Sequence, residues 1–401
     1  MTELSGVEGM ADGQPLKGVT VVELCHSIAG PYGASILAQL GAEVIKVENP
    51  AKGDDARAWG PPDWCGSSSV FQAMNRDKLG TTLNLKDDAE CARLKAFIFD
   101  KADVVLQSLR PGAAEALGLG AQALRGVKPE LIYCNLGAFG TRGPLREKPG
   151  YDPLMQARGG LMSVTGEDGR EPVRVGCSII DMGTGMWAAM GIVSALYRRA
   201  VSGQGCVVDT SLFESSIAWM TVHLTGYMAS GEIRRPMGSG LVEIVPHQAF
   251  RTQDGYIMVA AGNDSLFRKL AAAMGCPELA SDLRYATNNG RVANRDGLLP
   301  VLQGLFAGRS TAEWEVTLDN AGVPAAPLQK VDQVLSDAQT QAMQMIQSVP
   351  GSEMTLVGLP LSFDGTRPPC RSAPPRMGQH NAVFAEADAA AEPKIAAGAR
   401  A

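Results

Sequence analysis

The chain has 401 residues, of which 45% are apolar and 19% are charged, a composition typical of a globular protein with a large core. Its formal net charge of −6 at pH 7 argues against a general nucleic-acid binder, which needs a basic surface. The first residues show no signal-peptide pattern, and the longest apolar stretch, Met186 to Tyr197, is shorter than the about 20 residues that span a bilayer. We therefore expect a cytoplasmic protein with neither a nucleic-acid partner nor a membrane partner.

The cysteines and histidines form no metal-binding pattern. None of the eight cysteines belongs to a C-x-x-C pair, and none of the four histidines lies four residues from another. Scattered thiols in apolar stretches are typical of reduced cysteines in the cytoplasm. The sequence therefore predicts no metal site.

Strands and helices alternate in the first part of the chain, which predicts a parallel sheet covered on both faces. Ligands of such sheets bind beyond the carboxyl ends of the strands. The loop after the first strand has Gly30 and Gly33 but no G-x-G-x-x-G motif, which disfavours a nicotinamide-dependent dehydrogenase. The predicted strands are 19–24, 43–48, 102–108, 130–136 and 206–210, and the predicted helices begin at Pro31 and span 89–100, 113–124 and 212 to about 228.

Glycines between Gly226 and Gly240 predict the passage into a second domain. A hairpin at 248–260 and helices at 264–274 and 311–320 indicate that this domain is a small α+β unit. A helix is predicted at 331–345, and we expect the proline-rich stretch after it to return to the first domain. The predicted boundaries are 15–210 and 325–385 for the large domain, 225–322 for the small domain, and 1–14 and 386–401 for flexible ends.

Asp181 stands at the start of an apolar helix. In this place an aspartate is most simply a helix cap, because its carboxylate accepts free N–H groups and suits the positive end of the helix dipole. The alternative is a nucleophile, since Gly183 and Gly185 would let a ligand approach and the apolar neighbours would desolvate the carboxylate. The local pattern leaves both interpretations open.

Short strings along the chain, from near residue 16 to near residue 384, resemble one enzyme family in their order and spacing. They include Ala29-Gly30-Pro31, Leu40-Gly41-Ala42-Glu43-Val44-Ile45-Lys46-Val47-Glu48, Gly53-Asp54-Asp55, Arg110-Pro111-Gly112, Gly150-Tyr151-Asp152 and Gly378-Gln379-His380. With these strings the chain resembles the family III CoA-transferases, the CaiB/BaiF group. That group includes formyl-CoA transferase and, as a divergent branch, 2-methylacyl-CoA racemase.

The resemblance implies an α/β fold with a Rossmann-like large domain built from both chain ends, a smaller α+β domain, and an interlocked homodimer. It also implies that Asp181 attacks an acyl-CoA thioester and forms an aspartyl acyl anhydride, which the CoA thiolate or an incoming carboxylate then attacks. The coenzyme A thioester and a small carboxylic acid are then substrates. No tightly bound cofactor is expected.

The resemblance further implies which residues meet the substrates. Lys86 and Arg110 would supply positive charge for the phosphates of CoA, with solvated surface charge as the alternative. Asn49 stands where several relatives have an arginine beside the adenine. The implied CoA contacts are His26, Ala29, Leu83, Lys86, Ser108, Leu109 and Arg110. The residues implied for the acyl pocket are Ile28, Arg57, Tyr151, Asp152, Gly238 and Gly240, of which the two glycines would stabilise an oxyanion.

Tyr151 distinguishes the transferases from the racemase branch, which has a histidine at this position. A tyrosine, with a reference pKa of about 10, is a poor base at neutral pH, so CoA transfer is favoured over α-proton exchange. Packing for Tyr151 and a cap for Asp152 stay open, as do a racemase-like enzyme and a non-catalytic CoA-binding protein. Many family members use succinyl-CoA, so we expect this donor and a dicarboxylate or similar acceptor. The candidates for binding a distal carboxylate are Arg57, Arg76, Arg158 and Arg174.

Overall fold

The computed structural model describes residues 14–384, which form two compact units. Unit 1 comprises the residues up to Leu161, Val175–Thr225, and those from Ala338 onward. Unit 2 comprises Met162–Arg174 and Gly226–Asp337. The predicted flexible ends, 1–14 and 386–401, lie outside the described residues apart from residue 14.

Thirteen β-strands and seventeen α-helices lie within residues 14–384. The strands are β1 (Thr20–Leu24), β2 (Glu43–Glu48), β3 (Asp63–Trp64), β4 (Ser67–Ser68), β5 (Lys78–Thr82), β6 (Val104–Gln107), β7 (Ile132–Gly137), β8 (Val207–Ser211), β9 (His247–Arg251), β10 (Tyr256–Ala260), β11 (Ala325–Pro327), β12 (Ile346–Ser348) and β13 (Thr355–Val357). The helices are α1 (Ala29–Gln39), α2 (Ser69–Met74), α3 (Asp88–Asp100), α4 (Ala113–Ala116), α5 (Ala121–Val127), α6 (Asp152–Arg158), α7 (Leu161–Val164), α8 (Ile179–Ser202), α9 (Leu212–Trp219), α10 (Thr221–Ser230), α11 (Asp264–Ala273), α12 (Glu278–Ser281), α13 (Asn288–Ala293), α14 (Arg295–Phe306), α15 (Thr311–Asn320), α16 (Val331–Ser336) and α17 (Ala338–Ala342). Short 3₁₀ helices occupy Asp55–Ala58 and Asn381–Phe384.

Unit 1 is built on a six-stranded parallel sheet with the strand order β5-β2-β1-β6-β7-β8. Numbered along the chain within this sheet, the strands read 3-2-1-4-5-6, the order of doubly wound nucleotide-binding folds. The order reverses between β1 and β6, so the loops after these two strands flank the crevice in which such folds bind ligands. The predicted parallel α/β architecture is confirmed.

Apolar strands and helices form the core on one side of this sheet. Val22 and Ile45 of the sheet pack with Leu94 and Phe97 of α3, and all four side chains are buried. The ring of Phe384 meets Phe97 edge-on, with centroids 5.2 Å apart. The late part of the chain therefore completes a core that the early part begins.

The proline-rich segment after α17 covers the edge strand β5. The Gly80 N–H donates to His380 Nδ1 at 3.0 Å, and the His380 N–H donates to the Gly80 carbonyl at 2.8 Å. Asp77 accepts the N–H groups of Arg371 and Ser372 at 2.6 and 2.8 Å. The two Gly80 bonds satisfy backbone groups of the edge strand that would otherwise be free to pair with another chain, and the Asp77 bonds anchor the segment next to it.

Unit 2 is a smaller α+β unit with the antiparallel sheet β11-β10-β9. Stacked rings hold its core, with Phe306 centred 4.6 Å from Phe250 and 4.9 Å from Trp314. Because β11 pairs with β10, residues 325–337 belong to unit 2 and not to the large-domain segment predicted at 325–385. Residues 162–174, predicted in the large domain, also belong to unit 2, where Glu167 pairs with Met237.

Helix α8 runs for 24 residues and ends at Gly203, whose φ of 72° suits glycine. Its apolar run was underestimated as residues 186–197 because Asp181, Gly183 and Gly185 interrupt the pattern. Its length and apolar composition would allow α8 to cross a membrane, a property that core helices of globular proteins share, and 44% of its apolar stretch is buried. Its buried side packs on α1, α6, α9 and the sheet strands β7 and β8.

Helices α1 and α8 touch through glycines. A Cβ on Gly185 would lie 2.5 Å from the Ala29 carbonyl oxygen and 2.9 Å from the Gly33 nitrogen. A Cβ on Gly33 would lie 2.8 Å from the Gly185 carbonyl oxygen. Only glycine at both positions permits this backbone approach.

We predict that Gly185→Ala destabilises the protein by about 1–3 kcal/mol, because the new methyl group meets backbone atoms that have no room to move. The measurement is the free energy of unfolding in urea. The matched control is Gly126→Ala in α5, where a Cβ meets no atom within 4 Å and the gain in helix propensity stabilises slightly. Equal stability of the Gly185→Ala variant and the unaltered protein would contradict the tight contact.

Candidate active site

Asp181 is the third residue of α8 and is half-buried. Burial and, secondly, the nearby charge of Asp152 raise the pKa of the Asp181 carboxyl to about 7. Among the residues that the structure describes, none donates a hydrogen bond to this carboxylate. A partly desolvated carboxylate with unoccupied oxygens is suited to attack an electrophilic carbon.

Asp152, and not Asp181, caps helix α8. Oδ2 of Asp152 accepts the N–H of Ile180 at 2.7 Å and that of Asp181 at 3.2 Å, whereas the N-cap residue Ser178 makes no side-chain cap bond. Oδ1 of Asp152 accepts from Gln156 Nε2 at 2.6 Å. Both oxygens are thus engaged, and the residue is 3% exposed, so its geometry assigns it to the helix end and not to the predicted acyl pocket.

Tyr151 directly precedes Asp152 and stands at the N-cap position of α6. Its side chain is 58% exposed, so aromatic packing within unit 1 does not account for it. Its carbonyl accepts the N–H groups of Leu154 and Met155 at 3.0 and 3.1 Å. The backbone is therefore fixed while the phenol faces solvent beside the residue that caps α8.

The glycine contact between α1 and α8 brings the loop after β1 to the nucleophile's helix. Ala29, a predicted CoA contact, lies with its carbonyl against Gly185, one turn beyond Asp181. Ile28, predicted for the acyl pocket, is the N-cap residue of α1. The N-terminus of α1 and that of α8 thus belong to one region of unit 1.

A cleft of about 280 Å³ opens at the carboxyl ends of β1, β2 and β5. Four of the seven predicted CoA contacts line it, namely His26, Leu83, Lys86 and Leu109. Asn49 also lines it, and Lys86 is exposed. The cleft therefore lies at the carboxyl edge of the sheet, and the loops after β1 and β6, which flank the reversal of strand order, contribute His26 and Leu109 to its lining.

The remaining predicted CoA contacts lie around this cleft without lining it. Ser108 follows β6, and its hydroxyl meets the buried Cys25 thiol. Arg110, two residues on, is exposed. Burial raises the pKa of Cys25 to about 12, which keeps this thiol neutral and unreactive.

A buried ionic cluster that the sequence did not predict lies beneath the cleft. Lys46 is 3.1 Å from Glu23 and 2.8 Å from Asp54, and Lys78 is 2.8 Å from Glu23, with all four side chains fully buried. Burial opposes the charged form of Lys46, but the surrounding carboxylates raise its pKa. Burial would raise the pKa of Asp54, but Lys46 and backbone N–H groups hold that pKa below its ordinary value.

This ionic cluster fixes the loop that carries His26. Asp54 Oδ1 accepts the Ser27 N–H at 2.9 Å, and Ser27 has a φ of 70°, which is unusual for a residue other than glycine. Lys46 Nζ donates to the Cys25 carbonyl at 2.9 Å. The signal in the sequence was a charge inside each of two buried parallel strands, since Glu23 and Lys46 interrupt runs of valine and isoleucine.

Two of the four arginines considered for a distal carboxylate are paired with carboxylates of the protein itself. Arg57 forms two hydrogen bonds with Glu48, at 2.8 and 2.6 Å. Arg76 is 1% exposed and contacts Asp77 at 3.2 Å. Arg158 at the end of α6 is exposed, as is Arg174 in unit 2.

The predicted glycine pair lies in unit 2, in a turn whose backbone is already hydrogen-bonded. The Gly238 N–H donates to the Gly166 carbonyl at 2.7 Å, and the Gly240 N–H donates to the Met237 carbonyl at 2.9 Å. Gly238 has a φ of 61°. In this conformation neither N–H group is available to an oxyanion.

Within residues 14–384, no group of three or more histidine, cysteine, aspartate or glutamate side chains is placed to hold a metal ion. All eight cysteines lie in this range, and each is a free thiol.

The profile of CoA-transferase family III matches residues 16–381, nearly the whole of the described chain. This chain is a family III CoA-transferase. The match spans the cleft, the buried ionic cluster and Asp181, and it confirms the family that the ordered strings in the sequence predicted.

Similar enzymes and structures agree with this assignment. Succinyl-CoA:glutarate CoA-transferase of Mus musculus is 34% identical over 371 residues, which are 92% of this chain and 85% of that protein. Acetyl-CoA:oxalate CoA-transferase of Acetobacter aceti is 35% identical over 383 residues, which are 95% of this chain and 97% of that protein. The crystal structure of a CaiB/BaiF family protein from Brucella suis matches with a TM-score of 0.85 and 37% identity, covering 94% of this chain and 100% of that one.

Proposed function

We propose that this family III CoA-transferase moves CoA from succinyl-CoA to a small dicarboxylate through an acyl anhydride on Asp181. The observation that carries the proposal is the state of Asp181, a half-buried carboxylate with a pKa raised to about 7 and with unoccupied oxygens. A carboxylate kept only as a structural cap would be hydrogen-bonded. Here Asp152 does the capping, and Asp181 is left to react.

The proposed reaction proceeds by four exchanges at carbonyl carbon. An Asp181 oxygen attacks the thioester carbon of the donor, the C–S bond breaks, and CoA leaves as a thiolate from an aspartyl acyl anhydride. The thiolate attacks the aspartyl carbonyl, which releases the donor acid and leaves an Asp181–CoA thioester. The acceptor carboxylate attacks that thioester, forms a second anhydride and expels the thiolate, which then attacks the acceptor's acyl carbon and frees Asp181.

An aspartate suits this chemistry on energetic grounds. CoA must pass between two acids without loss of the thioester's energy to water, so each intermediate must be about as activated as a thioester. A mixed anhydride meets this requirement, whereas an ester on a serine would not. Neutral Asp181 is a poor nucleophile, so the reactive form is the carboxylate.

The cleft beyond β1, β2 and β5 is the proposed binding site for the CoA moiety. His26, Leu83 and Leu109 would contact it, and Lys86 with Arg110 would pair with phosphates in a chain whose net charge is negative. The close approach of α1 to α8 supports a path from this cleft toward Asp181.

We predict that Asp181→Asn lowers transferase turnover by about 10⁴-fold or more, since no other carboxylate replaces the nucleophile. Incubation of the unaltered protein with acyl-CoA and hydroxylamine should leave a hydroxamate on Asp181, detected by peptide mass spectrometry. Asp168→Asn, at an exposed ion pair of unit 2, is the control and should retain both turnover and adduct.

Three outcomes of this experiment would oppose the proposal. Near-normal turnover of Asp181→Asn would exclude the anhydride. Deuterium uptake at the acyl α-carbon without CoA transfer would favour the racemase-like alternative. Tight CoA binding with no adduct from any acyl-CoA would favour a non-catalytic CoA-binding protein.

The acceptor is predicted from relatives named for glutarate and oxalate, both dicarboxylates. The donor is predicted from the relative named for succinyl-CoA. We expect succinyl-CoA to be used at a higher kcat/KM than acetyl-CoA, and dicarboxylates to accept CoA better than monocarboxylates of equal length. The measurement is formation of each new acyl-CoA in a matrix of the two donors and a panel of acids. If the enzyme is inactive with succinyl-CoA but turns over acetyl-CoA, the assignment of succinyl-CoA as donor is wrong.

We also propose that the enzyme works as an interlocked homodimer. The outer side of α8 exposes large apolar residues, and α10 has no buried residue at all. Continuous apolar surface of this kind is typical of a subunit interface. The exposed residues of α8 are Met186, Trp187, Met190, Val193, Tyr197 and Val201.

We predict a dimer in sedimentation equilibrium, and a weaker one in the variant Met190→Lys, because a lysine charge on the apolar face of α8 would have to be buried. The control is Leu283→Lys in unit 2, where the leucine is 92% exposed. A monomer at all concentrations for the unaltered chain would refute the interface.

A further inference from the structure

Two carboxylates compete for one helix end in unit 1. Asp181 lies within the first turn of α8, where the backbone N–H groups have no partner within the helix and the positive end of the helix dipole attracts an anion. Asp152 reaches the same turn from α6 and accepts the N–H groups of Ile180 and Asp181 at 2.7 and 3.2 Å. The N–H groups that would pair with the nucleophile are therefore occupied by its neighbour.

Asp152 is itself held in place. Gln156, one turn further along α6, donates to Asp152 Oδ1 at 2.6 Å and accepts the Val175 N–H at 2.8 Å. Asp152 and Gln156 are both buried, so their hydrogen bonds are shielded from water. The cap thus joins helix α6 to the chain segment that enters α8.

Among the titratable and charged groups around α8, Asp152 is the one whose charge raises the pKa of Asp181. Glu214 accepts a hydrogen bond from Ser211, and Asp209 accepts one from Asn135, so each has a partner of its own. The groups on elements packed against α8 are Asp152 and Arg158 of α6, Tyr32 of α1, Glu214 of α9, Tyr133 and Cys134 of β7, and Asp209 of β8.

We infer that Asp152 is a positioning residue that keeps Asp181 nucleophilic by taking the first-turn N–H groups of α8 and by placing a second negative charge at the same helix end. This inference rests on the proposed reaction at Asp181. A hydrogen-bonded carboxylate must shed its donors before it attacks, and Asp152 removes that step. Acylation of Asp181 also removes one of two adjacent like charges, so the pair favours the anhydride over the free carboxylate.

The test is the pH profile of kcat/KM for the unaltered enzyme and for Asp152→Asn. For the unaltered enzyme we expect kcat/KM to fall below a pH of about 7, the value to which burial and Asp152 raise the pKa of Asp181. In Asp152→Asn the amide oxygen still accepts the N–H groups but the charge is gone. The acid limb should therefore move down by about one pH unit, and the yield of Asp181 hydroxamate should fall.

Asp152→Ala should lose more activity than Asp152→Asn, because the freed N–H groups of the first turn can donate to the Asp181 carboxylate itself. We expect kcat/KM above the limb to fall by about ten- to a hundredfold, with KM for acyl-CoA nearly unchanged. Asp152→Glu should recover part of the loss, since its charge is retained. Asp152→Ser, which keeps an acceptor without charge, serves if the asparagine variant does not fold.

The matched control is Asp254→Asn in unit 2. Asp254 Oδ1 accepts the Thr311 N–H at 2.8 Å and so also caps a helix from another element. Its loss should lower stability without moving the acid limb. If the kcat/KM profile of Asp152→Asn keeps both its acid limb and its plateau while Asp181→Asn is inactive, the inference is overturned and the proposed function stands. If Asp181→Asn is active, the proposed function is overturned.

Discussion

The contact between Gly33 of α1 and Gly185 of α8 is the constraint on which the site depends. It places the backbone of one helix against that of the other, with the Ala29 carbonyl where a side chain of residue 185 would stand. The loop after β1, which opens into the cleft, is thereby set against the helix that carries Asp181. Side chains at a helix contact set the distance between the two helix axes. Larger residues at positions 33 and 185 would therefore push α1 away from α8, and with it the CoA cleft away from Asp181. The contact requires glycine at position 185 in the second turn of α8, directly after the first turn that holds Asp181.

The electrostatics of that first turn reverse the usual effect of a helix N-terminus. A lone carboxylate there is stabilised as an anion and loses basicity. In this structure the dipole and the N–H groups are satisfied by Asp152, while burial and the charge of Asp152 raise the pKa of Asp181. Two aspartates that look alike in the sequence thus take different roles, because one is fully hydrogen-bonded and the other is left without donors.

Sequence reasoning reached the elements whose pattern is local. Strand β2 and helix α15 have the predicted bounds, since a short run of β-branched residues between Glu43 and Glu48 defines the first and the Ser310–Glu313 capping box starts the second. Strand β5 was missed because Lys78-Leu79-Gly80-Thr81-Thr82 holds a single large apolar residue, and the helix predicted over 113–124 breaks where Gly118 takes a φ of 63°. The cap by Asp152 lies outside such reasoning, because it joins residues 28 and 29 positions apart through the packing of two helices.

The cleft must accept a polyanion in an acidic chain, and the buried ions explain how it can. Its lining includes the carboxylates of Glu48 and Asp54, which alone would repel the phosphates of CoA. Arg57 neutralises Glu48 from one side, and Lys46 neutralises Asp54 from below. These two ion pairs therefore weaken the negative potential in the cleft, and Asp54 also holds the loop by accepting the Ser27 N–H. Asp55 and Lys86 are the exposed charged residues of this lining, so the local charge of the cleft, and not the net charge of the chain, governs the approach of the substrate.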